Sequence, residues 1–419
     1  LVYEGTYKEC IKINGGRYVK SQFNSSSDST AIKNTIIQCP GDDRLLIKDS
    51  TLRGFSFLGY GIDVSGTSTL KHILIEDNVG HANFRYNISV GSYSGADAVI
   101  EDTKILNSTG GGIIFTEGKL TGKNIVISNN SKAWGGMGFR CIDSSDDNPA
   151  NVAHLENIRI AHNKSYSSGV SGGAMNIYGE CDVTVLNGEF YDNLIVDDSN
   201  GIYHGGSVYL AGMSIFSPVL KLINVTSVGN RALYVNADSD TTIGPGISLG
   251  YPSSTSPYTN EAKLIISNSI IYDNLQEISA WGGTIEINNS LVKGGKDSIS
   301  LFEGGELTWG DNNIDIAPYF FNPAQGDFHL MPYSPAIGAG TSSGISATDI
   351  DGNTRPAPSG SNPDVGAYEH LLADPAPGPF ELFYPFQGDT VEINRHNYND
   401  SLFFTWTEAI DASGDDVTY

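Results

Sequence analysis

Residues 155–209 read LENIRIAHNKSYSSGVSGGAMNIYG and then ECDVTVLNGEFYDNLIVDDSNGIYHGGSVY. One pattern is written twice. An alternating apolar strand ends at an Asn (Asn163, Asn193), a polar turn follows, and a Gly-Gly pair (172–173, 205–206) opens a second short apolar strand. Repetition at this length signals a solenoid, in which each unit buries its apolar face only against its neighbours.

The same strand ending recurs on both sides of this stretch. It stands in LKHILIEDN, VIEDTKILN, GKNIVISNN, LENIRIAHN, LNGEFYDN, LINVTSVGN and ISNSIIYDN, which close on Asn78, Asn107, Asn130, Asn163, Asn193, Asn230 and Asn274. A coil of three short strands and three turns needs about this much chain, and uneven spacing places the insertions in the turns. Asn suits a tight corner because it tolerates positive φ at low cost. Stacked coil on coil at about 4.8 Å, such amides can also hydrogen-bond in a ladder. Gly-Gly pairs at 111–112, 135–136, 172–173, 205–206 and 282–283 mark a second corner.

Composition agrees. The chain has 419 residues, with Gly at 49 and Met at only 4. No stretch sustains a helical period, whereas strand-like runs punctuated by Gly, Asn, Asp and Ser recur throughout. The fold class is therefore all-β, and a solenoid absorbs a length that one compact domain does not. The net charge of −24 argues against nucleic acid as a partner. An anionic polysaccharide would need a local basic patch or bridging cations. Nothing is apolar for long enough to span a membrane as a helix. Cys10, Cys39, Cys141 and Cys181 form two disulfides, with Cys10–Cys39 and Cys141–Cys181 the simplest pairing, or else stand as four buried thiols.

The order EGTYKECIKI, TII and LRGFSF near the start resembles the first coils of secreted right-handed parallel β-helix proteins of the pectate-lyase-like superfamily. The resemblance implies a right-handed parallel β-helix over residues 1–309. It also implies a capping segment before Leu1. Later, SPAIGAG at 334–340, DIDG at 349–352, RP at 355–356 and DVGAYE at 364–369 resemble the choice-of-anchor Q module that follows secreted bacterial β-helices. Residues 310–370 are accordingly expected to cap the helix, since open strand edges and core invite aggregation. Tyr368 reads as buried, and Arg355 as a partner of Asp364 or Glu369. A Pro-rich linker occupies 371–378. Residues 379–419 resemble the first half of an immunoglobulin-like or fibronectin type III-like sandwich, a partial domain that expects more chain after Tyr419. Such a layout resembles surface proteins exported by the type IX machinery of Bacteroidetes-like bacteria, which implies a secreted or cell-surface location.

Fold does not settle function in this superfamily. The polygalacturonase set, the pectin methylesterase motif and the paired arginines of pectate lyases have no counterpart; GIYHGG at 201–206 is a superficial likeness. Weaker candidates remain. His81 and Arg85 follow a strand end, and with Arg159 they could serve a lyase in which a basic group abstracts a proton while Ca²⁺ neutralises a uronate. Asp143, Asp146, Asp147, Asp197 and Asp198 lie in acidic insertions and offer the oxygen ligands Ca²⁺ prefers. An outward row of Arg140, Arg159, Tyr191 and Tyr209 would suit sugar rings. Each set reads more readily as ordinary exposed residues. The sequence thus supports a noncatalytic surface protein that binds glycans or other extracellular components. The alternatives are a Ca²⁺-assisted polysaccharide lyase or glycoside hydrolase acting on acidic polysaccharide, and a structural spacer in a fibre.

Overall fold

The structure is a computed structural model. It describes residues 2–10, 12–21, 29–40, 43–59, 61–78, 86–91, 95–131, 136–141, 151–167, 172–197, 206–211, 217–235, 241–250, 261–274, 276–378, 382–384 and 404–407. Among them, 25 strands join one sheet whose every pairing is parallel. Long strands such as Gly118–Ser128, Asn151–Ala161, Cys181–Tyr191 and Val219–Val228 form one side. Short strands such as Gly111–Phe115, Met137–Cys141, Met175–Gly179 and Val208–Ala211 form another. Each strand pairs with its equivalent one coil away: Ile125 meets Ile158, which meets Gly188, which meets Val225. This is the expected parallel β-helix.

Period-two alternation fills its interior. Ile125, Ile127, Ile158, Ile160, Val183, Val185 and Phe190 are all fully buried and stack in one continuous core running from Ile13 to Ile299. Each such side chain contributes about 1.5–3 kcal/mol through removal from water. No single layer could be stable alone; stacking supplies the second apolar surface.

The corner asparagines divide the two tasks expected of them. Asn163 donates its side-chain amide to Asn193 Oδ1 (3.0 Å), Asn193 to Asn230 (2.9 Å), and Asn230 to Asn274 (3.1 Å). Glu277, itself buried, accepts the last donor of this inner ladder. The positive φ falls instead on the preceding residue: Asn129, His162, Asp192 and Asp273. Asn107 is thereby corrected. It takes the positive-φ slot, and Ser108 occupies the ladder, accepting from Asn78 N and taking Asn130 Oδ1 on its own N–H. The glycines at 173 and 206 serve close approach rather than a positive φ. A Cβ on Gly173 would lie 2.0 Å from Gly206 O and 3.0 Å from the Asn193 Cβ.

The disulfides Cys10–Cys39 and Cys141–Cys181 form as the simplest pairing had it. The second ties the end of Met137–Cys141 to the start of Cys181–Tyr191.

Residues 310–378 cover the helix, and their main contact is lateral. They run along the long-strand flank, from Asn268 and Ile270 back toward Glu156 and Arg159. Leu301, in register with buried Ala280, remains 40% exposed, so the inward face of the last coil is not sealed. The reason is chemical: the flank offers hydrogen-bonding amides and apolar side chains, which the module matches. Tyr368 is buried as expected, and Arg355 pairs with Glu369 (Nε to Oε2 2.9 Å, both side chains fully buried). Leu382–Tyr384 and Thr405–Trp406 pair antiparallel beyond the linker. No helix among the described residues is long and apolar enough to cross a membrane.

Candidate functional site

A second column of asparagines governs the outer surface of the flank. His72, Asp102, Asn124, Asn157, Asn187 and Asn224 each bend a long strand within its length, and Asn268 bends the chain between Lys263–Ser267 and Ile270–Tyr272, all with φ between +48° and +57°. L-residues other than Asn and Asp adopt this region at a cost of about 1–2 kcal/mol, which explains the residue choice. Their side chains point outward. Asn124 donates to Asp102 Oδ1 (2.8 Å), Asn157 to Asn124 (3.1 Å) and Asn187 to Asn157 (3.1 Å). Each lies six residues before an inner-ladder position: 124 before 130, 157 before 163, 187 before 193, 224 before 230. That offset was present in the quoted repeats and is the signal by which sequence reading could have found the outer column.

Three of the seven members are occupied by the chain itself. Asn187 donates to Thr348 O (2.7 Å), Asn224 to Asp364 O and Gly366 O (both 3.1 Å), and Asn268 to Thr341 O (2.6 Å). Thr341 N returns a bond to Asn268 Oδ1 (2.9 Å). The outer amides thus recognise polypeptide main chain. Beyond Arg159 the module stops and the column continues through Asn124 and Asp102 to buried His72.

There a groove of about 620 Å³ opens between the short helix Ser29–Asn34 and Ile350 of the module. Its floor includes one outward row, Leu74, Lys104, Val126 and Arg159, successive in register. The row continues under the module as Glu189, Thr226, Ile270 and Leu291. Lys33, Lys104 and Arg159 line the groove against Glu76 and Asp102, a one-charge excess of cations in a chain of −24. Lys33 is bridged to Glu76 and Arg159 to Asp351, whereas exposed Lys104 has no carboxylate partner among the described residues. His72 lies 3.3 Å from Asp102, and burial lowers its pKa.

The module end of the groove is closed by a polar clamp. His329 bridges Asp327 (2.6 Å) and Asp351 (3.0 Å), Asp351 pairs with Arg159, and the Tyr368 hydroxyl donates to buried Glu189. Burial pushes the Glu189 carboxyl up. Burial and then the neighbouring Glu189 raise Tyr368. Burial works against the charges on Arg159 and His329, but the acids around them outweigh it, and both are raised.

The residues expected from sequence fare unevenly. Arg159 does face outward between buried Ile158 and Ile160, but it belongs to the clamp and the groove end. Tyr191 is half-buried by the module, edge-on to Phe328 (5.2 Å) and His162 (4.8 Å). Tyr209 is corrected: it is fully buried, its ring tilted against Tyr178 (5.6 Å), and cannot meet a glycan from that position. Arg140 is exposed on the short-strand side, beside Tyr178, and so shares no row with Arg159. His81, Arg85, Asp143, Asp146, Asp147 and Asp198 lie outside the described residues, as does the side chain of Asp197. Among the described residues no group of three or more His, Cys, Asp or Glu is arranged to hold a metal ion.

A scan against protein-family models finds no match, and a search of curated proteins finds none either. The likeness to pectate-lyase-like and choice-of-anchor proteins therefore rests on the motifs quoted above.

Proposed function

We propose that this chain is a secreted or cell-surface binding protein. Its helix is a rigid frame, and its flank groove holds an extended neighbouring component, glycan or otherwise, without chemical change. The outer column carries this reading: three of its members already hold main-chain groups of the chain's own module, and Asn157 and Asn124 continue it with the same amides. Preformed concave sites of several hundred Å³ with a few convergent polar groups are the usual seats of ligands. The two disulfides support an oxidising, extracellular compartment.

The reading is tested by immobilising the chain and passing soluble polysaccharides and peptides over it, with Asn124→Gly/Asn157→Gly as comparison. Glycine keeps the positive φ of both positions while removing the amides. Groove-dependent binding is expected, with no new unsaturated uronate ends on pectin, alginate or chondroitin. Depolymerisation abolished by a chelator would establish the lyase alternative instead. Binding equal in the wild type and the double variant would place the ligand elsewhere.

A further inference from the structure

Resting on the reading of the groove as a binding site, we infer that its occupant is an extended polypeptide segment of a partner, carrying an aliphatic residue next to an acidic one, with the acid on Lys104. The boundary between the covered and open stretches supplies the pattern. Ile350 borders the end of the groove, held in a buried cluster with Phe328 and Tyr368, and the next residue, Asp351, pairs with Arg159. One coil below Arg159 the same row presents apolar Val126, and one coil further the unpartnered cation Lys104. Val126 and Lys104 thus offer an occupant an apolar contact beside an ion-pair site, as the module sets Ile350 beside the Asp351–Arg159 pair.

The amides fit the same occupant. On the covered stretch they accept from and donate to main-chain groups of residues 341–366. Asn124 and Asn157 are the next members of that column. In the recognition of extended peptides, main-chain hydrogen bonds give affinity and pockets for selected side chains give specificity. From His72 to Asn157 the column advances three coils, about 14 Å at ~4.8 Å each, which an extended peptide spans in about four residues. The apolar part of the lining is aliphatic, Ile32, Leu74, Leu106, Val126 and Ile350, with no Phe, Tyr or Trp among the described lining. Sugar faces stack preferentially on aromatic rings, so the lining favours aliphatic peptide side chains.

The test is selection of a phage-displayed library of random 12-residue peptides on the full chain, followed by affinity measurement on synthetic peptides. Enriched sequences with adjacent aliphatic and acidic residues are expected. Lys104→Glu should weaken them at least tenfold, and repeating the selection on Lys104→Glu should enrich lysine or arginine in place of the acid. That reversal excludes misfolding as the cause, as does an unchanged thermal unfolding curve for this exposed substitution. If no peptide is enriched but a polysaccharide binds and is lost in Asn124→Gly/Asn157→Gly, the peptide assignment falls and the groove reading stands. If neither peptide nor polysaccharide binding responds to any groove variant, both fall. Self-association of the chain that Val126→Asp abolishes would put a second copy in the groove and overturn the partner assignment.

Discussion

Replacing Asn193 by Leu isolates the contribution of the inner ladder. The two side chains branch alike at Cγ, Leu being the bulkier, and Asn193 is fully buried. Its Nδ2 donates to Ile160 O (2.8 Å) and Asn230 Oδ1 (2.9 Å), and its Oδ1 accepts from both the backbone N–H (3.1 Å) and the side-chain amide (3.0 Å) of Asn163. Leu removes all four bonds. The Asn163 side chain keeps Ile127 O, and the Asn230 oxygen keeps the backbone N–H of residue 193. The Asn163 N–H and the Ile160 carbonyl lose these partners inside the protein. A buried group left unpaired costs about 1–3 kcal/mol, so the variant should lose roughly 2–6 kcal/mol. Asn157→Gly is the control. It removes amides at the surface, where water replaces them, and glycine accepts the φ of +57°, so the loss should stay near ~1 kcal/mol. Urea unfolding followed by circular dichroism reads both, and amide exchange should locate the loss in the coils on either side of residue 193. A loss in Asn193→Leu below ~1 kcal/mol, or no greater than in Asn157→Gly, would refute the assignment of the ladder as a stabilising element.

Three further outcomes follow from the module. Burial pushes Asp364 up to about 8, with Glu369 beside it adding to the shift; a raised folded pKa gives stability that is complete below the ordinary Asp value and is lost as pH rises through about 8. His329 acts with the same sign above its ordinary value, and Asp327, lowered by its pairing with His329 despite burial, acts oppositely only in acid. Exchange protection over residues 338–369 should therefore fall between pH 6 and pH 9 while the coil core holds; equal protection at both would count against it. Arg355→Met leaves Glu369 buried without its cation and should cost about 3–5 kcal/mol, read as protease sensitivity of the module, with Arg355→Met/Glu369→Leu recovering part of the loss. Removing the Cys141–Cys181 pair, separated by 40 residues, should lower stability by about 4 kcal/mol in thermal or urea unfolding.

The helix was legible because its rules are local. Alternation fixes which residues turn inward, and the Asn that ends each strand marks the corner. What misled was assigning two properties to one residue: the ladder Asn has ordinary φ, and its predecessor bends the chain. Arg159 shows a second limit. Its outward direction was readable from Ile158 and Ile160, but its cover was not, because Asp351 lies 192 residues away in sequence. Tyr368 and Glu189 are 179 apart. Tyr209 was misjudged because an outward position on a strand does not reveal what lies over it. The outer column is hard to read from sequence because its asparagines fall inside the strands, where an Asn passes as one more polar residue of the alternation.

The outer column makes length a countable property of this surface. Every coil contributes one side chain to the column at the same height, an amide from Asn124 onward, so the open stretch is counted in coils. A duplication or deletion of one repeat upstream of Arg159 would lengthen or shorten the open groove by one step, about 4.8 Å, without altering a single contact of the module. Descendants of such a chain could change the reach of their grip by unequal recombination alone, leaving the chemistry of each step untouched.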